Sequence, residues 1–366
     1  VVTGQVGLDK KAFLQRVVEI AAGEGTPLEL CNIGDMMYAE APDVAPGKIL
    51  DLPLSRLNSL RRSVFKDVLA TCRGGANVVV NTHATFRWRH GLFYGFDHDQ
   101  MQELDADLYV VMVDSIDQVH RRMVRDGYVD HSLKDLMVWR EEEVLATELL
   151  SRIVGGQGRF YIVARGAGEA GPRMLVRLMF HGHLKKAYLS FPMSHVGDSP
   201  EVLAEIEGFR REMKRHLVCF DPGDLEEKDL CRLALEAAEE GRRTVEVGPP
   251  GATVAVETSE LVAIVPDIDG QIYARDFKLI DQSDMIVSLI PELPDGRPGL
   301  SSGVERELQH AHEATRDVFV VWRSSAEPSP FVTETATAVF RSTADAVRHF
   351  IQAGYAAPEP RGTLFA

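Results

Sequence analysis

Apolar, β-branched runs alternate along this chain with longer amphipathic stretches. Residues 28–32, 77–81, 108–113, 160–164, 186–191, 217–220, 261–265, 285–290 and 318–322 have the length and composition of strands. Between them, residues 10–22, 57–72, 142–153, 200–215, 225–240 and 304–314 place apolar side chains at helical spacing. Strand–helix alternation of this kind predicts an α/β fold of mainly parallel sheets layered between helices. In such sheets ligands sit at the carboxyl ends of the strands.

The alternation runs for 366 residues, more than one ordinary core supports, so two domains are expected. The turn-rich GAGEAGP at 166–172 breaks the pattern, and the helical RMLVRLMF after it closes a first domain. HGHLKK then leads into a fresh strand, AYLSF. The boundary is placed near residue 182, giving domains 1–182 and 183–366. The opening VVTG reads as a first strand, and residues 244–258 read as a hairpin around a PPGA turn. The Pro/Gly-containing stretch after Ala356 is expected to be loose.

Composition narrows the function. With 45% hydrophobic and 26% charged residues the chain is that of a soluble globular protein. It has no apolar run of roughly 18 residues that would span a membrane, and no signal-peptide pattern, so the cytoplasm is the expected location. A net charge of −15 argues against a nucleic-acid polymer as partner but leaves small phosphorylated ligands open. Cys31, Cys72, Cys219 and Cys231 show no CxxC spacing and read as ordinary thiols.

Residues 1–11, VVTGQVGLDKK, are a strand, a Gly-containing turn and a helix start. A phosphate loop of the GxxxxGK[ST] type needs glycines that turn N–H groups to the phosphates, a Lys for the β/γ oxygens and a hydroxyl for Mg²⁺. Gly4 and Lys10 are in register, while Asp9 stands at the second Gly and Lys11 at the hydroxyl. ELCNIGDMM (29–37), VVVNTHATF (78–86), GLFYGF (91–96), LDADLYVVMVDSIDQVHRRMVRDG (104–127) and FYIVARGAG (160–168) follow in order. This ordered set resembles the archaeal-type adenylate kinases and covers nearly all of residues 1–182. The resemblance implies a P-loop nucleoside-monophosphate kinase fold with ATP and Mg²⁺ at the loop and a lid over the nucleotides. Carried onto this sequence, it assigns Gly4, Gly7, Lys10, Arg121, Arg122 and Arg125 to nucleotide binding. The aspartate of its VDTH segment is Asn81 here. Loss of the loop Gly, the metal hydroxyl and that carboxylate removes much of the positioning and charge that phosphoryl transfer relies on. The alternative is a scaffold or ligand-binding remnant.

In the second half, AYLSFPMS (187–194), RDFKLIDQSDMIVSLI (275–290) and GLSSGVERELQHA (299–311) form another ordered set. It resembles the nucleoside 2-deoxyribosyltransferases and their deoxynucleoside-5′-monophosphate N-glycosidase relatives over about residues 186–324. The resemblance implies a flavodoxin- or Rossmann-type domain, and it places the nucleophilic carboxylate on Glu307 and the acid or orienting carboxylate on Asp276. Tyr188, Ser190 and Ser194 fall at the end of the first strand. Ser301, Ser302 and Gly303 fall in the turn that contacts phosphate or sugar. Phe191 replaces a family Gly, and Glu305 adds a second carboxylate beside Glu307. The family builds its pockets between subunits, which implies a homodimer, and its chemistry requires no metal or other cofactor.

These residue types suit cleavage of an N-glycosidic bond: one carboxylate beneath C1′ and a second carboxyl group that protonates the leaving base. Each also has a plainer reading. Acids in the first turns of a helix are favoured by its dipole, which would make Glu305 and Glu307 mere helix-start charges. Asp276 would cap a following helix. His310 and His312, two apart, do not share a helix face as a metal pair would. His181 and His183 read as linker residues, and the RWRH of 87–90 as a surface loop. Three functions remain: N-glycosidase or base transferase on a nucleoside or its 5′-monophosphate, nucleotide kinase, and non-catalytic nucleotide sensor.

Overall fold

The computed structural model describes residues 1–88, 91–128, 131–193, 199–225, 227–249 and 251–357. In chain order the first elements are β1 (Val2–Thr3), α1 (Lys10–Gly23), β2 (Glu29–Asn32), α2 (Ile33–Glu40), α3 (Leu54–Arg73) and β3 (Val78–Asn81). Then come β4 (Thr85–Trp88), β5 (Gly91–Tyr94), α4 (His98–Leu104), β6 (Tyr109–Val113), α5 (Ile116–Arg125), α6 (Leu133–Val154), β7 (Phe160–Ala164) and α7 (Ala170–Phe180). The second half holds β8 (Lys186–Ser190), α8 (Pro200–His216), β9 (Val218–Phe220), α9 (Lys228–Glu239), β10 (Thr244–Val247), β11 (Val254–Glu257) and α10 (Thr258–Asp281). It ends with β12 (Met285–Ile290), α11 (Ser302–Glu313), β13 (Asp317–Trp322), α12 (Pro330–Thr333), β14 (Ala338–Phe340) and α13 (Thr343–Gln352).

These elements form two compact units, Val1–Val176 with Leu225–Ile268 and Arg177–Asp224 with Asp269–Ala366. The sequence places a single boundary near residue 182. The units divide instead between Val176 and Arg177, and residues 225–268 return to the first unit. Ion pairs hold them there: Arg140 with Glu227, both buried, and Lys134 with Asp267. The Leu133 N–H also donates to Glu260 Oε1 at 2.6 Å.

The first unit carries a five-stranded sheet in the order β2-β3-β1-β6-β7, with every pairing parallel. The short β1 lies at its centre, flanked by β3 and β6, so the loop after β1 opens where the strand order reverses. The second unit's sheet runs β14-β13-β12-β8-β9, also all parallel. Counted within that unit the order is 2-1-3-4-5, the flavodoxin-like arrangement, whose switch point lies between β8 and β12. All six residues of β12 are buried. Leu189, Val287, Phe319 and Phe350 are among the residues of the core on one side of this sheet. Thus both units are α/β, and parallel sheets build each.

Two elements depart from the sequence reading. Residues 261–265 look like a strand but lie inside α10. Their burial shows why: Leu261, Ile264 and Ile268 are buried at the i, i+3, i+7 spacing of one helix face. Of the RWRH expected as a surface loop at 87–90, residues 87 and 88 lie in β4, paired antiparallel with β5, and 89 and 90 lie outside the described residues. The hairpin expected at 244–258 is present as β10 and β11, paired from Thr244 with Glu257 to Val247 with Val254. Among the described residues no helix is long and apolar enough to cross a membrane, and no cluster of three or more His, Cys, Asp or Glu is placed to hold a metal.

Candidate functional site

In the second unit, β8 and β12 run side by side with Ser190 opposite Ser288. Both hydroxyls are fully buried at the carboxyl ends of the strands that flank the switch point. α11 begins with Ser301 as its N-cap, whose hydroxyl accepts from the Val304 N–H at 3.2 Å. That cap sets the phase of the helix. Val304, Leu308 and Ala311 are buried, and Glu307 sits beside them, half-buried, while Glu305 and Arg306 are exposed. Of the two candidate acids only Glu307 turns inward.

The Tyr188 hydroxyl donates to Glu307 Oε1 at 2.8 Å, and the Ser190 hydroxyl donates to Oε2 at 2.6 Å. Ser288 in turn donates to Ser190 at 3.3 Å. Each carboxylate oxygen therefore has its own donor from β8, and a buried hydroxyl backs one of them. Burial pushes the Glu307 carboxyl up to about 7; the Asp276 charge acts in the same direction, and the two hydroxyl donors oppose it. Tyr188 is raised well above the ordinary phenol range, first by burial and then by the charges of Glu307 and Asp276. Asp276 therefore lies within electrostatic reach of both groups. It is an interior residue of α10 rather than a cap.

Ser302 and Gly303 lie exposed in the first turn of α11, where helix N–H groups lack intrahelical partners. A Cβ added at Gly303 would meet nothing nearer than Ser301 Oγ at 3.7 Å. The sequence therefore brings Tyr188, Ser190 and Glu307 into direct contact, with Asp276 nearby. Ser194 lies outside the described residues. Ser288 was not among the sequence candidates, although a lone hydroxyl in the run MIVSLI was a legible signal.

In the first unit the loop between β1 and α1 carries three residues of positive φ: Gly4 at 134°, Gly7 at 86° and Asp9 at 51°. Asp9 thus keeps the left-handed backbone that favours glycine at its position. Its carboxylate pairs with Arg125 at 3.1 Å. The Gly4 N–H donates to Glu143 Oε2 at 3.2 Å. Glu143 is buried and also accepts from the N–H groups of Ala84 and Thr85. Lys10 is buried, and its ammonium donates to the carbonyls of Gly4 and Gln5. Burial lowers its pKa to about 8, with Glu143 opposing. Arg122 binds the Gly7 carbonyl and the Asp114 carboxylate. Arg165, which the sequence did not single out, donates to the Leu8 carbonyl at 2.8 Å. Arg121 lies elsewhere: it bonds Gln118, and its Cδ is 3.2 Å from where a Gly248 side chain would begin.

A cavity of about 320 Å³ opens beside this loop, lined among others by Lys10, Asn32, Asn81, His83, Phe86 and Trp139. It has the size and mixed apolar–polar lining of a small-molecule site. The residues do not provide for Mg²⁺ in the way a phosphate loop does. Lys11, at the hydroxyl position, pairs with Asp35, and the Asn81 amide donates to Asn32 Oδ1 at 2.6 Å. An ammonium cannot ligate a cation, and a neutral carboxamide oxygen does not bring the negative charge of a carboxylate.

Residues 3–137 match the family profile described as an AAA domain. The adenylate kinase of Methanoculleus marisnigri is 27% identical over 134 residues, which is 35% of this chain and 68% of that protein. Those of Pyrococcus furiosus and Pyrococcus abyssi are 24% and 23% identical over 156 residues, 42% of this chain and 75% of theirs. The N-terminal segment is thus a P-loop kinase-like domain with adenylate kinase relatives. Among solved structures, a 2-deoxyribosyltransferase from the psychrotolerant bacterium Bacillus psychrosaccharolyticus aligns with 14% identity over 47% of this chain and 98% of that one, at a TM-score of 0.28.

Proposed function

We propose that the second unit cleaves or transfers the base at the N-glycosidic bond of a nucleoside or deoxynucleoside, or of its 5′-monophosphate. The observation that carries this reading is the Glu307 carboxylate, held by one hydroxyl donor on each oxygen at the switch point of a parallel sheet. Such a group is fixed in orientation and still able to attack. Its ionised form adds to C1′ as the C1′–N bond breaks, and the bond's electron pair leaves with the base. Asp276 passes a proton to the leaving base. Water or a second base then attacks C1′, returns a proton to Asp276 and frees Glu307. The first turn of α11 supplies N–H groups for a 5′-phosphate. None of these steps uses a metal or cofactor.

The test is a panel of nucleosides, deoxynucleosides and their monophosphates, with free base measured by chromatography. Release or exchange of base by the wild type, abolished in Glu307→Ala, is the expected result. No release from any substrate would sink the reading. Diphosphate formation that requires ATP and Mg²⁺ and is lost in Lys10→Ala would favour a kinase instead. Binding without turnover would favour a sensor.

A further inference from the structure

Arg61 is 5% exposed, yet among the described residues it forms no ion pair. Its Nη1 donates to the Tyr94 carbonyl at 2.6 Å, its Nη2 donates to Asn58 Oδ1, and its guanidinium lies 5.6 Å from the centre of the Phe86 ring. All three partners are neutral. Burying a guanidinium this way is unfavourable unless a counter-charge is near; burial lowers the Arg61 pKa and the Arg62 charge adds to this, while the Asp97 charge opposes it without forming an ion pair with Arg61.

A second cavity, of about 390 Å³, opens on this residue between α3 and the segment that follows β5. Ser55, Asn58, Ser59, Arg61, Arg62 and Asp97 are among its lining. It therefore holds two guanidiniums against one carboxylate. That carboxylate is already engaged: Asp97 accepts from Arg62 at 2.7 Å and from the Gln100 N–H at 3.3 Å as the cap of α4. The residues lining it are distinct from those that line the cavity beside the phosphate loop.

We propose that this cavity binds a small oxyanion, a phosphate or carboxylate group, with Arg61 as its buried counter-charge and Arg62 at its rim. The anion supplies the direct charge partner that Asp97, engaged with Arg62, does not, and the hydroxyl and amide groups of Ser55, Asn58 and Ser59 offer further hydrogen-bonding groups. Arg61 also ties α3 to the end of β5 through the Tyr94 carbonyl, so occupancy stabilises that junction. The site does not depend on the chemistry of the second unit.

Calorimetric titration of the full chain with inorganic phosphate and, separately, acetate at fixed ionic strength tests the proposal. Saturable binding is expected. It should persist in Lys10→Ala, which removes the cation of the phosphate loop, and should weaken at least ~tenfold in Arg61→Gln, as loss of a charged hydrogen-bonding partner implies. Response to phosphate alone identifies a phosphate ligand, and response to acetate a carboxylate one. No saturable binding of either ion, binding lost in Lys10→Ala, or equal affinity in Arg61→Gln overturns the proposal. Should Arg61→Gln fail to fold, Arg62→Gln serves, since its side chain is 65% exposed. A weakening of roughly threefold or more is then expected, and unchanged affinity overturns the proposal.

Discussion

Ser190 and Glu307 are 117 residues apart in the chain, yet Ser190 Oγ lies 2.6 Å from Glu307 Oε2. The contact joins the end of a central strand to the second turn of the helix that carries the candidate nucleophile. It converts an acid that could have been only a helix-start charge into a member of a buried hydrogen-bonded group.

The first prediction concerns pH. Glu307 titrates near 7 in the folded chain, against 4.5 for an ordinary glutamate. Between these values the folded state binds more protons than the unfolded one, so stability falls as pH rises, and the full penalty is present above about 7. Glu307→Gln removes the ionisable group. It should stabilise the protein by about 3 kcal/mol at pH 8, with the gain vanishing below about pH 4.5. Denaturant unfolding across this range checks it. Equal gains at pH 4 and pH 8 would contradict the sign. Base release, which needs the ionised carboxylate, should lose activity as pH falls through about 7.

Tyr188 and Ser190 should separate by the same measurement. Each donates to one oxygen of Glu307, and hydrogen bonds to a charged acceptor contribute about 1.5–3 kcal/mol. Tyr188→Phe and Ser190→Ala should each move the acidic limb of the rate profile upward by about one pH unit. Ser288→Ala, one hydroxyl further back, should move it less. A profile unmoved by all three would show that these hydroxyls do not hold the carboxylate.

Arg140 and Glu227 give a test in the first unit. Their side chains are 2% and 0% exposed and 2.7 Å apart. Arg140 also donates to the Asp114 carbonyl, and Glu227 accepts from the Ile116 N–H. Arg140→Met leaves a carboxylate buried without its partner and should destabilise by about 3–5 kcal/mol. Arg140→Met combined with Glu227→Leu should recover part of that loss. If the double variant is less stable than the sum of the singles, the pair is not coupled as described.

Much of this was legible in the sequence because parallel sheets are built from local signals. Strands 160–164 and 285–290 coincide with β7 and β12, since uninterrupted apolar runs bounded by polar turns have little choice of structure. Residues 261–265 misled because five apolar residues fit either period, and the deciding burial of Ile268 lies outside the run. For the candidate site, ordered motifs pointed to Glu307 and Asp276, and the fold sets Glu307 against Tyr188 and Ser190. Glu143 was not: it is one of three consecutive acids, and only the fold turns it toward the Gly4 N–H. The return of residues 225–268 to the first unit was equally hidden, because it depends on Arg140 and Lys134 meeting acids about 90 and 130 residues away.

The last prediction concerns the metal. Asp9 sits at φ 51°, so glycine can take its place without a backbone change, and the Asp9–Arg125 pair lost in doing so is largely exposed and contributes little. Asp9→Gly should therefore leave stability nearly unchanged while removing a negative charge from the phosphate path. Lys11→Thr restores a hydroxyl and Asn81→Asp a carboxylate, the two oxygen ligands a Mg²⁺-dependent loop uses. In the wild type, Mg²⁺ should alter ATP affinity less than about threefold, because Lys11 and Asn81 stand where the loop would carry its hydroxyl and carboxylate. In the triple variant Mg²⁺ should tighten ATP by at least ~tenfold, about 1.4 kcal/mol. Calorimetry with and without Mg²⁺ reads both. Strong Mg²⁺ dependence in the wild type would mean that other groups near the loop, such as Asp114 beside Arg122, supply the cation site. The kinase reading of the first unit would then regain its footing.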